Sequence, residues 1–147
     1  MLRRLLGRTT SASWVPFFLR IPLGSIFIGH GAQKVFGLWG GSGFVKFISF
    51  PAPFPFMKPT ALWMGAAAVF ELLGGILILS GLFTRVGALL ILLVMLTAII
   101  GVHWGEGILP NFFMSQKGIE YPLALLGMTL ALLKTGGGYA SIDKVQK

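Results

Sequence analysis

The amino-acid sequence predicts an all-α membrane protein: a bundle of four transmembrane helices with both termini on the cytoplasmic side. Three observations carry this reading. Hydrophobic residues make up 55% of the 147 and charged residues only 11%, with a mean hydropathy of +0.85, where a soluble domain carries about 25% charged residues. Four apolar runs lie at about 14–35, 60–82, 86–104 and 118–135. Lysine and arginine fall unequally on the two sides of those runs, seven on one side and four on the other. Backbone groups in lipid must be satisfied within the segment, so the runs are read as helices.

The N-terminal stretch "MLRRLLGRTTSASW" is rich in arginine and free of acids. It resembles a mitochondrial presequence, but it reads better as a cytoplasmic anchor ahead of the first span. The location expected is an inner, cytoplasmic membrane crossed several times, with mitochondrial-type targeting the lesser alternative. The first two spans are joined by "GLWGGSGFVKFISFPAPFPFMKP", whose glycines and four prolines break any continuous helix. Within it Phe44, Phe47 and Ile48 share one helical face, which predicts a short interfacial helix. Spans two and three are joined by a tight turn, "SGLFTR". Spans three and four are joined by the irregular "GEGILPNFFMSQKG". The fourth apolar stretch, Tyr121 to Leu133, is short; taken from residue 118 to 135 it nears the lower limit of about 17 residues for a crossing.

Orientation follows from the cations. Arg3, Arg4, Arg8, Arg85, Lys134, Lys144 and Lys147 fall on the side assigned to the cytoplasm, and Lys34, Lys46, Lys58 and Lys117 on the other. Trp39, Trp63, Trp104 and Tyr121 then mark the outer interface, and Trp14 and Tyr139 the inner one. The net charge of +8 belongs to these flanks. It suits anionic headgroups rather than a phosphate-tracking stripe, so the partners expected are lipid and other membrane subunits, not nucleic acid. With no cysteine, a disulfide framework, a thiol nucleophile, a cysteine-ligated iron–sulfur cluster and covalent c-type haem are excluded.

Ionisable residues inside a span are costly and face the bundle interior. By helical rise, Arg20 stands about 8–9 Å above the inner end of span one and His30 about 15 Å further out. Glu71 stands about 17 Å above the inner end of span two. This predicts a polar ladder of Arg20, Glu71 and His30, with Arg20 and Glu71 paired as a clamp between the two helices. Further out, His30, Gln33, Lys34, His103, Glu120 and Tyr121 form a candidate quinone or substrate cluster. The two histidines differ in depth by several ångströms, which argues against b-type haem. No metal site is expected, and the methionines read as packing residues.

"LRIPLGSIFIGHGAQKVFGLWGGSG", "FELLGGILILSGLFTRVGALLILLVMLTAI", "HWGEG" and "GIEYPLALLGMTLALLKTGGGYASID", in that order, resemble the DoxX family of small four-helix membrane proteins. The resemblance covers nearly everything after Trp14, as one integral membrane domain over 1–147. It sets Arg20, His30, Gln33, Lys34, Glu71, Arg85, His103, Glu120, Tyr121 and Asp143 at characteristic positions of the family. It implies an integral membrane subunit associated with quinone-linked redox chemistry, since some relatives look like subunits of a thiosulfate:quinone oxidoreductase. A quinone is the cofactor so implied, and no self-sufficient active site is evident. The alternatives are a non-catalytic accessory subunit of a larger membrane complex and, third, a proton or small-solute pathway.

Overall fold

The computed structural model describes residues 8–10, 12–103 and 119–145. Four long helices form a ring. α1 is Val15–Phe36, α3 is Thr60–Ser80, α4 is Thr84–Ala98 and α5 is Glu120–Thr135; a short helix α2, Phe44–Ile48, lies between α1 and α3. Around the ring α1 packs on α3, α3 on α4, α4 on α5 and α5 back on α1. The expected spans thus recur as helices within a few residues of their sequence bounds. α1, α3 and α4 with its continuation to Gly101 are long and apolar enough to cross a membrane; α5, at 16 residues, is shorter. Leu62, Leu73, Leu93 and Leu130 point outward and are exposed. Such a surface fits lipid rather than water.

Local chemistry sets the helix ends. Pro16 sits in the first turn of α1, where its missing N–H costs nothing. Gly37 closes α1 in the left-handed conformation, and its N–H donates to the Gln33 carbonyl at 3.2 Å. Gly81 ends α3 in the same way. α4 continues past Ala98 as a π turn, Ile99–His103. There a Cβ on Gly101 would stand 2.5 Å from Pro53 Cβ, so the proline-rich loop lies directly on the turn.

Close approach of α1 and α3 fixes their register. A Cβ on Gly31 would be 2.5 Å from the Leu72 backbone nitrogen, one on Gly75 2.7 Å from that of Ile28, and one on Gly24 2.8 Å from Leu79 Cβ. Continuing these pairs puts Glu71 level with Ala32, and Arg20 level with Phe83. Levelling the two helix ends, as the sequence reading does, puts Glu71 near residue 25. The true register is displaced by about two helical turns.

The displacement leaves the start of α1 projecting beyond the end of α3, and both chain termini fill that space. Residues Arg8–Thr9 and Lys144–Val145 pair as two short parallel strands, β1 and β2. Thr9 Oγ1 donates to the Thr135 carbonyl at 2.9 Å and accepts from the Gly138 N–H. The Asp143 carboxylate accepts from the N–H groups of Phe83 and Thr84 at 2.7 and 2.9 Å. It therefore caps the start of α4 from some sixty residues downstream. The core runs between α1, α3, α4 and α5 through Leu23, Phe27, Ile78, Ile91, Leu125 and Leu132.

Candidate functional site

Glu71 is 5% exposed in its side chain, and its partner is Lys34. The Lys34 Nζ donates to both carboxylate oxygens at 2.5 Å. The helix register accounts for this choice. Lys34 stands two residues beyond the level of Glu71, about 3 Å along the axis, whereas Arg20 stands twelve residues below it, about 18 Å away. The expected Arg20–Glu71 pair and the ladder built on it therefore do not form. Arg20 is 1% exposed at the terminal end, where its Nη2 donates to the Ala140 carbonyl at 2.7 Å and the Asp143 charge attracts it. It ties the C-terminal segment to α1 instead of tying α1 to α3.

The pair forms part of the wall of a cavity of about 430 Å³. α3 contributes Trp63, Met64, Ala66, Ala67, Phe70 and Glu71; α4 contributes Leu93, Val94, Thr97 and Ala98. Phe47 of α2 and the loop residues Pro53 and Met57 complete it, with Lys34 from α1. The cavity lies beyond the half in which α3 and α4 touch. Near the touching half, a Cβ on Gly87 would stand 2.9 Å from the Gly74 carbonyl oxygen. In the other half Ala66, Ala67, Thr97 and Ala98 are among the residues that line the cavity.

The chemistry of the wall is sharply divided. Nearly all of it is aliphatic or aromatic. Thr97 spends its hydroxyl on the Leu93 carbonyl, at 2.8 Å. Trp63, at the exposed rim, is 44% exposed and carries an indole N–H. The remaining polar element is the ion pair, with the ammonium 5.2 Å from the centre of the Phe47 ring. That distance is within reach of a cation–π attraction. A site of this size and character suits a small apolar molecule with an acceptor oxygen that meets one strong donor.

The remaining sequence candidates disperse. His30 is exposed on α1 and does not line the cavity, and neither do Glu120 and Tyr121, exposed at the start of α5. The Gln33 carbonyl accepts from Gly37 and Gly43 N–H groups, a turn-closing role. The side chain of His103 lies outside the described residues, as do Trp104, Glu106 and Lys117. Of the proposed outer cluster, the structure brings Lys34 to the cavity, and it does so together with Glu71. Phe47, Phe70 and Thr97 are cavity residues that sequence reasoning missed. The spacing of Gly24 and Gly31 against Gly75 is the signal that would have set the register and found the pair.

Comparison with known proteins gives these residues a context. The family model described as DoxX matches residues 15–104, which include every cavity-lining residue. The chain belongs to the DoxX family. It is a multi-pass membrane protein, as the apolar helices require. Over 125 residues it is 33% identical to "Putative oxidoreductase CatD" of Bacillus subtilis (strain 168), covering 85% of this chain and 81% of that protein. Over 130 residues it is 34% identical to "Inner membrane protein YphA" of Escherichia coli (strain K12), covering 85% of each. No solved structure matches. The DoxX match begins at the first residue of α1 and extends to the residue after the π turn, so it takes in the whole cavity-forming unit.

Proposed function

We propose that this DoxX protein is a bacterial inner-membrane subunit of a quinone-linked redox system, and that the cavity between α3 and α4 receives the quinone head. The observation that carries the reading is the Lys34 ammonium in the wall of an otherwise apolar cavity with room for a quinone head. A quinone carbonyl is an acceptor without a charge, so Lys34 can donate to it and the aromatic wall can pack on its ring. The relative named an oxidoreductase supports redox work of this general kind. The exposed Trp63 and Leu93 on the rim, 44% and 48%, suit entry from the lipid phase, where quinones reside. Electrons pass to or from a partner subunit in this reading, since the chain has no cysteine for thiol chemistry of its own.

The test is binding. Purified protein titrated with a decyl-substituted benzoquinone is expected to show saturable quenching of tryptophan fluorescence, lost in large part in Trp63→Phe. Lys34→Met is expected to weaken binding at least tenfold, about 1.4 kcal/mol. Linear, unsaturable quenching would refute the site.

An accessory role in a larger complex is the second reading. It is favoured by Trp39, Val45 and Phe56, which are 74%, 81% and 73% exposed along the segment between α1 and α3. Co-migration of other subunits in mild detergent, lost when these three are made polar, is the outcome expected of it.

A further inference from the structure

We infer that the Lys34–Glu71 pair couples filling of the cavity to uptake of one proton, the proton going to Glu71. The inference rests on the reading of the cavity as a quinone site and adds what the site does when occupied. The two partners differ in freedom. Glu71 is held mid-helix beside Gly74 and Gly75, where α1 and α4 come close, and it is almost fully buried. Lys34 stands in the last turn of α1 on a flexible four-carbon stem, and its side chain is 26% exposed. Both carboxylate oxygens share its single ammonium.

A carbonyl that enters the cavity competes for that ammonium. Two of the three N–H donors of the ammonium go to Glu71, and a carbonyl held against the aromatic wall draws the ammonium toward itself on its flexible stem and out of reach of Glu71. The carboxylate is then left on an apolar wall, and no second cation among the described side chains faces it. α1 offers beyond Lys34 only the exposed His30, and Arg20 twelve residues below the level of Glu71. The segment between α1 and α3 offers Lys46 and Lys58, both exposed. α4 carries no ionisable side chain between Arg85, at its terminal end, and Ala98, and α5 carries Glu120 and Lys134 at its two ends, both exposed. An unpaired carboxylate in such surroundings is far costlier than the neutral acid.

The balance is simple. The ammonium–carboxylate pair, a quinone and one proton become an ammonium donating to the quinone carbonyl and a carboxylic acid at Glu71. One O–H bond forms and no electron moves. A second consequence is positional. The proton is deposited beside the wall where the carbonyl is held, so the pair readies the site for chemistry in which the oxygen of the head group changes its protonation.

The experiment titrates the full chain, in detergent and weak buffer, with the decyl-substituted benzoquinone while a pH-indicator dye reports protons and tryptophan quenching reports binding. About one proton is expected to be taken up per quinone bound, as linkage requires of a group whose protonation differs between the two states. In Glu71→Gln the quinone that binds, whatever the change in affinity, is expected to carry no proton uptake. A measurement on the unsubstituted protein guards against misfolding of that variant. In infrared difference spectra, quinone addition is expected to raise a carboxylic-acid carbonyl band that shifts in D2O. Saturable binding without proton uptake, or without that band, overturns the coupling and leaves the quinone site standing. Equal uptake by Glu71→Gln overturns the assignment to Glu71. No saturable binding by the unsubstituted protein overturns the quinone reading, and the coupling with it.

Discussion

Replacing Lys34 with methionine keeps most of the side-chain volume and removes the ammonium that both oxygens of Glu71 accept from. The cost can be bounded from burial. Breaking a buried ion pair from one side costs about 3–5 kcal/mol, because the other charge is left unpaired. Glu71 is 5% exposed but Lys34 is 26% exposed, so solvent reaches the vacated side and the lower bound, about 3 kcal/mol, is the better figure. In a chain of this length each kcal/mol moves the midpoint of thermal unfolding by about 2–4 °C, so Lys34→Met lowers it by about 6–12 °C. The double variant Lys34→Met/Glu71→Leu replaces the pair with apolar groups and is expected within about 1 kcal/mol of the parent. The assay is a double-mutant cycle: four proteins, one detergent, one scan rate, unfolding followed by circular dichroism. Additive losses in the double variant would refute the argument, and so would a Lys34→Met midpoint equal to the parent's.

Three further outcomes follow from the same geometry. Gly31→Ala places a methyl group 2.5 Å from the Leu72 backbone, which α1 and α3 relieve only by moving apart, at about 1–3 kcal/mol; Gly29→Ala, with nothing within 4 Å of its Cβ, is expected to gain about 0.5–1 kcal/mol from helix propensity, and thermal unfolding of the two compares them. Asp143→Ala removes the cap on Phe83 and Thr84 and the negative charge near Arg20; a loss of about 1–2 kcal/mol is expected, together with faster proteolysis of the C-terminal segment. Ala67→Phe fills the cavity and is expected to cut quinone affinity at least tenfold, about 1.4 kcal/mol, with the unfolding midpoint held or raised; unchanged affinity would remove the cavity from consideration.

The helices were legible because their signals are local. Apolar runs, the "SGLFTR" turn and the glycine- and proline-rich stretch after α1 each mark an element without reference to any other. Even the short α2 was signalled by Phe44, Phe47 and Ile48. The identity of Glu71 as a buried acid in need of a partner was equally plain, because a carboxylate in "FELLGG" stands out against its surroundings. Its partner was not, because pairing across helices depends on register. Register here is set by three backbone contacts, at Gly24, Gly31 and Gly75, and not by where the helices start and stop. An error of two turns was enough to exchange Lys34 for Arg20. Arg20 and Asp143 escaped for a related reason. Arg20 meets Ala140 across 120 residues of sequence and Asp143 meets Phe83 across 60, and no local periodicity reports such contacts.

The same glycines explain why the cavity lies where it does. Gly74 and Gly87 let α3 and α4 touch near the terminal half, and the cavity opens beyond that contact. α2 and the proline-rich loop cover part of the opening, with Pro53 and Phe54 seated on Gly101 of the π turn. Glu71 stands beside Gly74, at the boundary between contact and gap. A carboxylate one turn nearer the termini would be enclosed by packed helices, where no ligand could reach its partner. At the boundary it must be neutralised by a group long enough to span the gap. Lysine, with its flexible stem, meets that need and can also let go. That combination distinguishes an exchangeable pair from a structural clamp such as Arg20, whose guanidinium is buried and donates to the Ala140 carbonyl.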